Sequence, residues 1–205
     1  MDASLAAYVT LTAILVVTPG ASTAVVVRHA LQGGRSAGLA AASGIGFANA
    51  SWATAAGLGV TTIFSRVPVI FAAIRYTGAG YLAWLGLRAL WRAFTGERGS
   101  QTGDLSESDR VRGTAAFREG VAVNLLNPPI ATFYIAIVPS FLPAPPPPGR
   151  FALLAAIHVG LAFLCHIMWV IGFDLLRGVC SKPAARRAVD VVTGAALLAL
   201  AARML

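Results

Sequence analysis

An all-helical membrane protein with about six transmembrane helices is the fold class this 205-residue sequence predicts, and three observations carry that prediction. The chain is 57% hydrophobic and only 12% charged, with a mean hydropathy of +0.74, whereas an average soluble domain carries about 25% charged residues. Uncharged stretches recur at the length a bilayer demands, about 20 residues for a hydrocarbon core of about 30 Å. The 16 Lys and Arg, which outnumber 8 Asp and Glu, fall between those stretches. A basic face of the kind that binds nucleic acid is not formed.

The first span is read over Ala3–Val27 and the second over Ser36–Ser65, both uncharged. The third covers Val67–Leu87 with Arg75 as its one charge, and the fourth runs from Gly120 to about Pro139, ahead of the run Pro143–Pro148. The fifth is Phe151–Phe173, interrupted only by His158 and His166. The sixth, Ala188–Leu205, is the shortest and carries Asp190 and Arg203. The whole chain reads as one transmembrane domain, with a first repeat over about 1–93, a cytoplasmic loop over about 94–116 and a second repeat over about 117–205. That loop is rich in Gly, Ser and charge and is too short for a folded soluble domain.

Six spans alternate the sides of their connections. Arg28 and Arg35, then Arg88, Arg92, Arg98, Arg110, Arg112 and Arg118, then Arg177, Lys182, Arg186 and Arg187 lie on one side, twelve of the 16 basic residues. Excess Lys and Arg marks the cytoplasmic face, so both termini are expected outside. The N-terminus lacks the basic n-region and cleavage site of a removable signal peptide, so the first span is expected to be retained. Neither Cys165 nor Cys180 suggests a disulfide, no Cys/His spacing resembles a metal site, and no cofactor motif is present.

Two spans carry matching interruptions. Thr18-Pro19-Gly20 sits near the middle of the first and Asn127-Pro128-Pro129 near the middle of the fourth, and an offset of 109 superposes Pro128 on Pro19 and Phe117 on Tyr8. Proline removes a backbone donor and disrupts the preceding turn, while Thr-Pro and Asn-Pro are also ways to begin a helix, the polar residue as N-cap and proline first. Each span is therefore expected to be two half-helices. With an offset of 116, Thr77–Ala83 matches Thr193–Ala199 at five of seven positions. Two three-span repeats follow, and because three is odd they must be inverted in the bilayer. Interrupted helices in corresponding places of inverted repeats point to a transport site. The N–H groups expected to be exposed at Ala21–Thr23 and Ile130–Thr132 carry the positive ends of helix dipoles and suit a carboxylate.

The chain resembles the lysine-exporter (LysE/RhtB-type) family of amino-acid exporters. The matching pieces are Thr18-Pro19-Gly20, Gly33-Gly34-Arg35-Ser36-Ala37-Gly38, Gly78-Ala79-Gly80-Tyr81-Leu82 through Gly86, Phe117-Arg118-Glu119-Gly120 through Asn124 to Asn127-Pro128, Pro139-Ser140-Phe141 and Thr193-Gly194-Ala195. The resemblance implies a multi-pass protein of the bacterial inner membrane that exports amino acids or related small zwitterions, driven by the proton-motive force. Its partners would be the substrate, protons and the bilayer, with a homo-oligomer left open. Two departures stand out. Ala21 replaces the second proline of the family's Pro-Gly-Pro, and Pro129 replaces the lysine of its Asn-Pro-Lys.

The candidate substrate-binding residues are Thr18, Pro19, Gly20, Ser22, Asn49, Asn124, Asn127 and Pro128. Asn49 and Asn124 are amides within spans and need partners, either substrate or a neighbouring helix. His166, mid-way along the fifth span, is the candidate for proton coupling, since it is the mid-membrane side chain that titrates nearest physiological pH. His158, Cys165 and His166 share one helix, for which packing is the ordinary reading. Arg75 reads as a side chain reaching for the interface, with a contact to a substrate carboxylate as the sharper alternative, and Asp174 and Asp190 as partners for the cations of the fifth connection. Gly38, Ala42, Gly46, Ala50 and Thr54 form a small-residue stripe for close helix packing, and Tyr81, Trp84 and Trp169 read as core or lipid-facing. Two other functional classes are weighed. An intramembrane hydrolase would have to draw on Ser22 and His166, yet no Gly-x-Ser-x-Gly or His-Glu-x-x-His is present. A structural membrane protein with no transport cycle leaves the paired interruptions unexplained, because broken backbone at membrane depth is tolerated only inside protein or beside a cavity. Catalytic residues are not expected, nor is ATP-driven transport by this chain.

Overall fold

The computed structural model describes residues 3–59, 68–95, 105–143, 147–175 and 183–205. Cys180, residues 96–104 of the expected loop, the 60–67 connection and residues 144–146 of the proline run lie outside the described residues, as does the side chain of Asp174. The described residues are helical throughout their regular elements: α1 (Ala3–Val17), α2 (Ala21–Gly57), α3 (Pro68–Thr95), α4 (Leu105–Leu125), α5 (Pro128–Ser140), α6 (Arg150–Leu175) and α7 (Pro183–Met204). α5 opens as a single α-turn, Pro128–Thr132, and passes through a π-helical segment, Phe133–Ile137, before its last turn.

By length and composition, Arg150–Phe173 can cross a membrane as a single rod. Two bent pairs pass the same test together, Ala3–Val17 with Ala21–Gly57 at 52° and Arg112–Leu125 with Pro128–Ser140 at 57°. Both bends fall at the interruptions expected from Pro19 and Pro128. α7, expected to start at Ala188, begins at Pro183 and spans 22 residues, about 33 Å at 1.5 Å per residue and long enough for a bilayer core.

Three expectations are corrected. The stretch 105–116, read as loop, is helical and lengthens α4 on its N-terminal side; its mixed charges hide the apolar periodicity by which a helix is read from sequence. The first span does not end at Val27. The helix runs on to Gly34, where φ is +80° and ψ −173°, a backbone state glycine adopts without strain. There the chain folds straight back, with Gly38 against Ala30, so α2 is two arms, 21–33 and 35–57, joined without a loop. Thr18 does not cap the second half-helix, since its hydroxyl donates back to the Ile14 carbonyl at 2.8 Å. Gly20 holds the N-cap position and Pro19 stays outside the helix.

Side-chain pairs fix the directions of the rods. α1 runs parallel to α6, with the Tyr8 hydroxyl donating to the Leu154 carbonyl (2.8 Å) and Cys165 Sγ to the Val16 carbonyl (3.5 Å). The second arm of α2 is antiparallel to α6: Gly38 faces Val170, Gly46 faces Phe163 and Gly57 faces Phe151. α3 and α7 are antiparallel, crossing where Gly86 and Gly194 each lie against the other's carbonyl. α4 crosses the second arm of α2 where Gly44 meets the Phe117 carbonyl and Gly120 meets the Ala41 carbonyl. At Gly38, Gly44, Gly86, Gly120 and Gly194 these contacts leave no room for a Cβ, which is the use small residues have between membrane helices. Only the first half of the expected stripe serves this purpose: Ala42 is buried and Gly38 and Gly46 are in contact, while Ala50 and Thr54 are exposed.

Two apolar clusters hold the bundle. Val25, Val26, Ile45, Leu85, Val123, Val170 and Leu197 join α2, α3, α4, α6 and α7. Tyr8, Trp52, Phe133, Tyr134 and Leu154 join α1, α2, α5 and α6.

Candidate functional site

The two interruptions lie against one cavity of about 740 Å³. Thr18, Pro19, Gly20, Ser22, Asn49, Asn124, Asn127, Pro128 and His166, all singled out from sequence, line it, together with Arg75, His158 and Arg203. Apolar side chains from α1, α3, α5 and α7 complete the wall, among them Leu15, Leu82, Phe133, Ile137 and Leu200. No Asp or Glu lines it among the described residues.

The interruptions differ in what they present. At the first, the earliest N–H of the new helix to find a partner is that of Ala24, which donates to the Gly20 carbonyl at 3.0 Å. The N–H groups of Ala21, Ser22 and Thr23 precede it and take no backbone partner among the described residues. They are the orphan donors of a helix start, at the positive end of its dipole. At the second interruption Pro128 and Pro129 have no N–H, and Ile130 and Ala131 both donate to the Asn127 carbonyl, at 3.0 and 3.2 Å. Thr132 lies within the helix. The expected row of free donors at Ile130–Thr132 is therefore absent. Asn127 does hold the N-cap position with Pro128 next, as expected, but its side chain makes no capping bond.

Three buried polar side chains join the first interruption to the second. Ser22 Oγ donates to Asn124 Oδ1 at 3.0 Å, and Asn124 Nδ2 donates to Asn49 Oδ1 at 2.8 Å. Asn49 and Asn124 are each 1% exposed. The chain of bonds ties both arms of α2 to α4 one turn before its break, and it spends the Ser22 hydroxyl on an amide rather than on the histidine a hydrolase would need. His166 is 6% exposed and makes no well-formed hydrogen bond at its buried Nδ1, which lies beside the Ala162 carbonyl one turn back. His158 is partnered: its Nδ1 lies 2.7 Å from the Tyr134 hydroxyl, and its ring packs on Phe133 at a centroid distance of 4.2 Å. Tyr134 belongs to the π-helical segment, a distortion frequent at functional sites. Arg75 turns to the end of α7, donating from Nε to the Met204 carbonyl and from Nη2 to the terminal main-chain oxygen of Leu205.

A second polar assembly, of which only Asp190 is singled out as a pairing residue from sequence, closes the end of the bundle nearest the Gly34 turn. Arg28, 3% exposed, pairs with Glu119, and His29 Nε2 lies 3.1 Å from the other carboxylate oxygen. Gln32 Nε2 donates to Asp190 Oδ1 at 2.6 Å, with Arg92 at 3.9 Å from the same oxygen. Asp190 thus pairs across to α2 and α3, while Arg177, Lys182 and the side chain of Arg186 in the fifth connection lie outside the described residues. The signal in the sequence was Glu119, an acid in a chain short of acids, beside an uncharged span. Tyr81 stacks on Trp84, and Trp169 on Phe173, all outside the cavity wall, in keeping with structural roles.

A bundle of helices of alternating direction, broken twice beside one mixed polar and apolar cavity, defines a membrane protein of the transporter class. The chain belongs to the LysE type translocator family, whose model matches residues 13–205. It is 31% identical over 146 residues, 68% of each chain, to an uncharacterized membrane protein, YrhP, of Bacillus subtilis. It is 25% identical over 193 residues, 93% of this chain and 89% of the other, to a leucine efflux protein of Klebsiella pneumoniae. A leucine efflux protein of Salmonella choleraesuis is 27% identical over 158 residues, 77% of this chain and 72% of its own. No solved structure matches the chain.

Proposed function

We propose that this protein is a secondary exporter that moves amino acids or closely related small zwitterions out of the cytoplasm, driven by the proton-motive force. The observation that carries this reading is the set of open N–H groups at Ala21–Thr23 facing the cavity shared by both broken helices. Such a helix start holds a carboxylate without a cationic partner. Ser22, Asn49 and Asn124 fix the geometry around it, and Thr18, Pro19, Gly20, Asn127 and Pro128 shape the breaks. The relatives named as leucine efflux proteins support amino acids with apolar side chains, which the aliphatic and aromatic part of the wall accommodates.

The chain crosses the bacterial inner membrane six times as two inverted three-helix repeats with both termini outside. Its alternating rods and the shared end of Arg28, Arg92 and Asp190 support that topology. In this arrangement the assembly of Arg28, Glu119, Gln32, Asp190 and Arg92 closes the cytoplasmic end, and export requires it to part. His166, lining the cavity with an unsatisfied nitrogen, is the proton-coupling residue.

The test is efflux from energised vesicles preloaded with a panel of amino acids, with and without an uncoupler. Loss of an apolar amino acid that stops with the uncoupler is the expected result, and no gradient-dependent loss of any of them overturns the reading. His166→Gln is expected to leave binding intact while removing the dependence on the proton gradient; retained proton-driven efflux excludes that role. A reporter fused after Leu205 that is active in the cytoplasm would invert the topology.

A further inference from the structure

The charge of the cavity says which end of an amino acid it recognises. Two guanidinium groups, Arg75 and Arg203, line it; among the described residues neither forms an ion pair with an acidic side chain, and Arg75 donates to the terminal main-chain oxygen of Leu205. Ala21, Ser22 and Thr23 add three N–H donors at the start of a long helix. His166, 6% exposed and without a well-formed bond at Nδ1, stands in the same wall as a further unsatisfied polar group. The wall has no side-chain carboxylate to pair with an ammonium group, and the oxygens of Asn124 and Asn49 nearest the helix start already accept from Ser22 and Asn124. Donors and positive charge converge here. Much of what remains is apolar, Leu15, Leu82, Phe133, Ile137 and Leu200 among it, beside the uncharged polar side chains of Thr18, Asn127 and Thr132.

We infer that the site recognises its substrate as an apolar monocarboxylate whose amine is dispensable, so that 2-oxo acids with branched aliphatic tails are ligands and cationic amino acids are rejected. This rests on the export reading above for the identity of the site, though not for its selectivity. The carboxylate binds the open N–H groups of Ala21–Thr23 and the tail lies on the aliphatic and aromatic wall. Arg75 and Arg203 repel a second positive charge on the substrate, because opposed charges gain and like charges lose most where water is scarce. Arg75 is the residue best placed to set this selectivity, since its bonds to the main-chain oxygens of Met204 and Leu205 hold the guanidinium at the wall.

The experiment uses the full chain reconstituted in liposomes and reads exchange of labelled leucine against unlabelled competitors. 4-Methyl-2-oxopentanoate is expected to compete within about 10-fold of leucine, a difference of one tenfold step in affinity. Isoamylamine, which keeps the tail and amine but lacks the carboxylate, and lysine are each expected to be weaker by at least about 100-fold. Arg75→Gln is expected to raise lysine competition relative to leucine, and Arg75→Lys to restore the rejection. Isoamylamine or lysine competing as well as the 2-oxo acid, or no competition by the 2-oxo acid, overturns the inference while leucine exchange leaves the export reading standing. Thermal unfolding of the same protein separates the two in the other direction. If leucine is not exchanged but the 2-oxo acid alone raises the unfolding temperature, the amino-acid reading falls and the inference holds. If no ligand is exchanged and none shifts the unfolding temperature, both fall.

Discussion

The helix breaks at residues 18–20 and 126–127 bend the chain by similar angles, 52° and 57°, yet they do different chemistry. The first has one proline, which stays outside the new helix, and so three N–H groups are left open at Ala21–Thr23. The second has two prolines inside the new helix, which removes two donors, and the Asn127 carbonyl takes the next two. A repeated motif thus supplies one helix start with open donors and one that is sealed. Proline count and placement decide this difference. Ala21 and Pro129, each in place of the third residue of the corresponding family motif, fall on the positions that set it.

The comparison can be broken most directly at the first interruption. Pro19→Ala combined with Gly20→Ala lets the helix continue and engages the open N–H groups with carbonyls one turn back. Hydrogen bonds to a charged group contribute about 1.5–3 kcal/mol each, so efflux is expected to fall by at least about 100-fold in a chain that still inserts. An equal loss from Asn127→Ala combined with Pro128→Ala would show the two breaks to be equivalent. Next in size is Glu119→Ala, which strands the buried Arg28 charge at the far end of the first arm of α2. Removing one partner of a buried pair costs about 3–5 kcal/mol, read as a lower midpoint of thermal unfolding in detergent, with a smaller loss for Glu119→Gln. Asn124→Ala takes away both bonds that link the breaks through Ser22 and Asn49. Unsatisfied buried partners cost about 1–3 kcal/mol, and the unfolding midpoint should fall accordingly. The smallest effect is expected for the Asn127 and Pro128 double substitution itself, which disturbs a sealed helix start. Its loss of efflux should stay under about 10-fold, the range of one neutral hydrogen bond.

Both breaks were legible in the sequence because proline acts locally: its missing N–H and fixed φ dictate a disruption whatever surrounds it. The polar residues of the cavity were legible as types, since Asn49 and Asn124 within apolar spans must find partners. Their bonding order was not, because Ser22, Asn124 and Asn49 come from three helical segments whose rotation depends on packing. For the same reason the donor count at the second break was misjudged, as it turns on which carbonyl Ile130 and Ala131 choose. Arg28 and Glu119 escaped for another reason. Cations near span ends record topology, and that use of Arg28 conceals its burial against a carboxylate 91 positions later in the chain.

That separation has a bearing on biosynthesis. Both arms of α2 leave the ribosome together and their loop-free turn lets them pair at once, but Arg28 is then a charge without its carboxylate. At about 5–20 residues per second, Glu119 emerges some 5–20 s later. The bond that Ser22, at the first break, makes to Asn124 likewise waits for α4, so the first half of the protein, made first, receives that contact from the second.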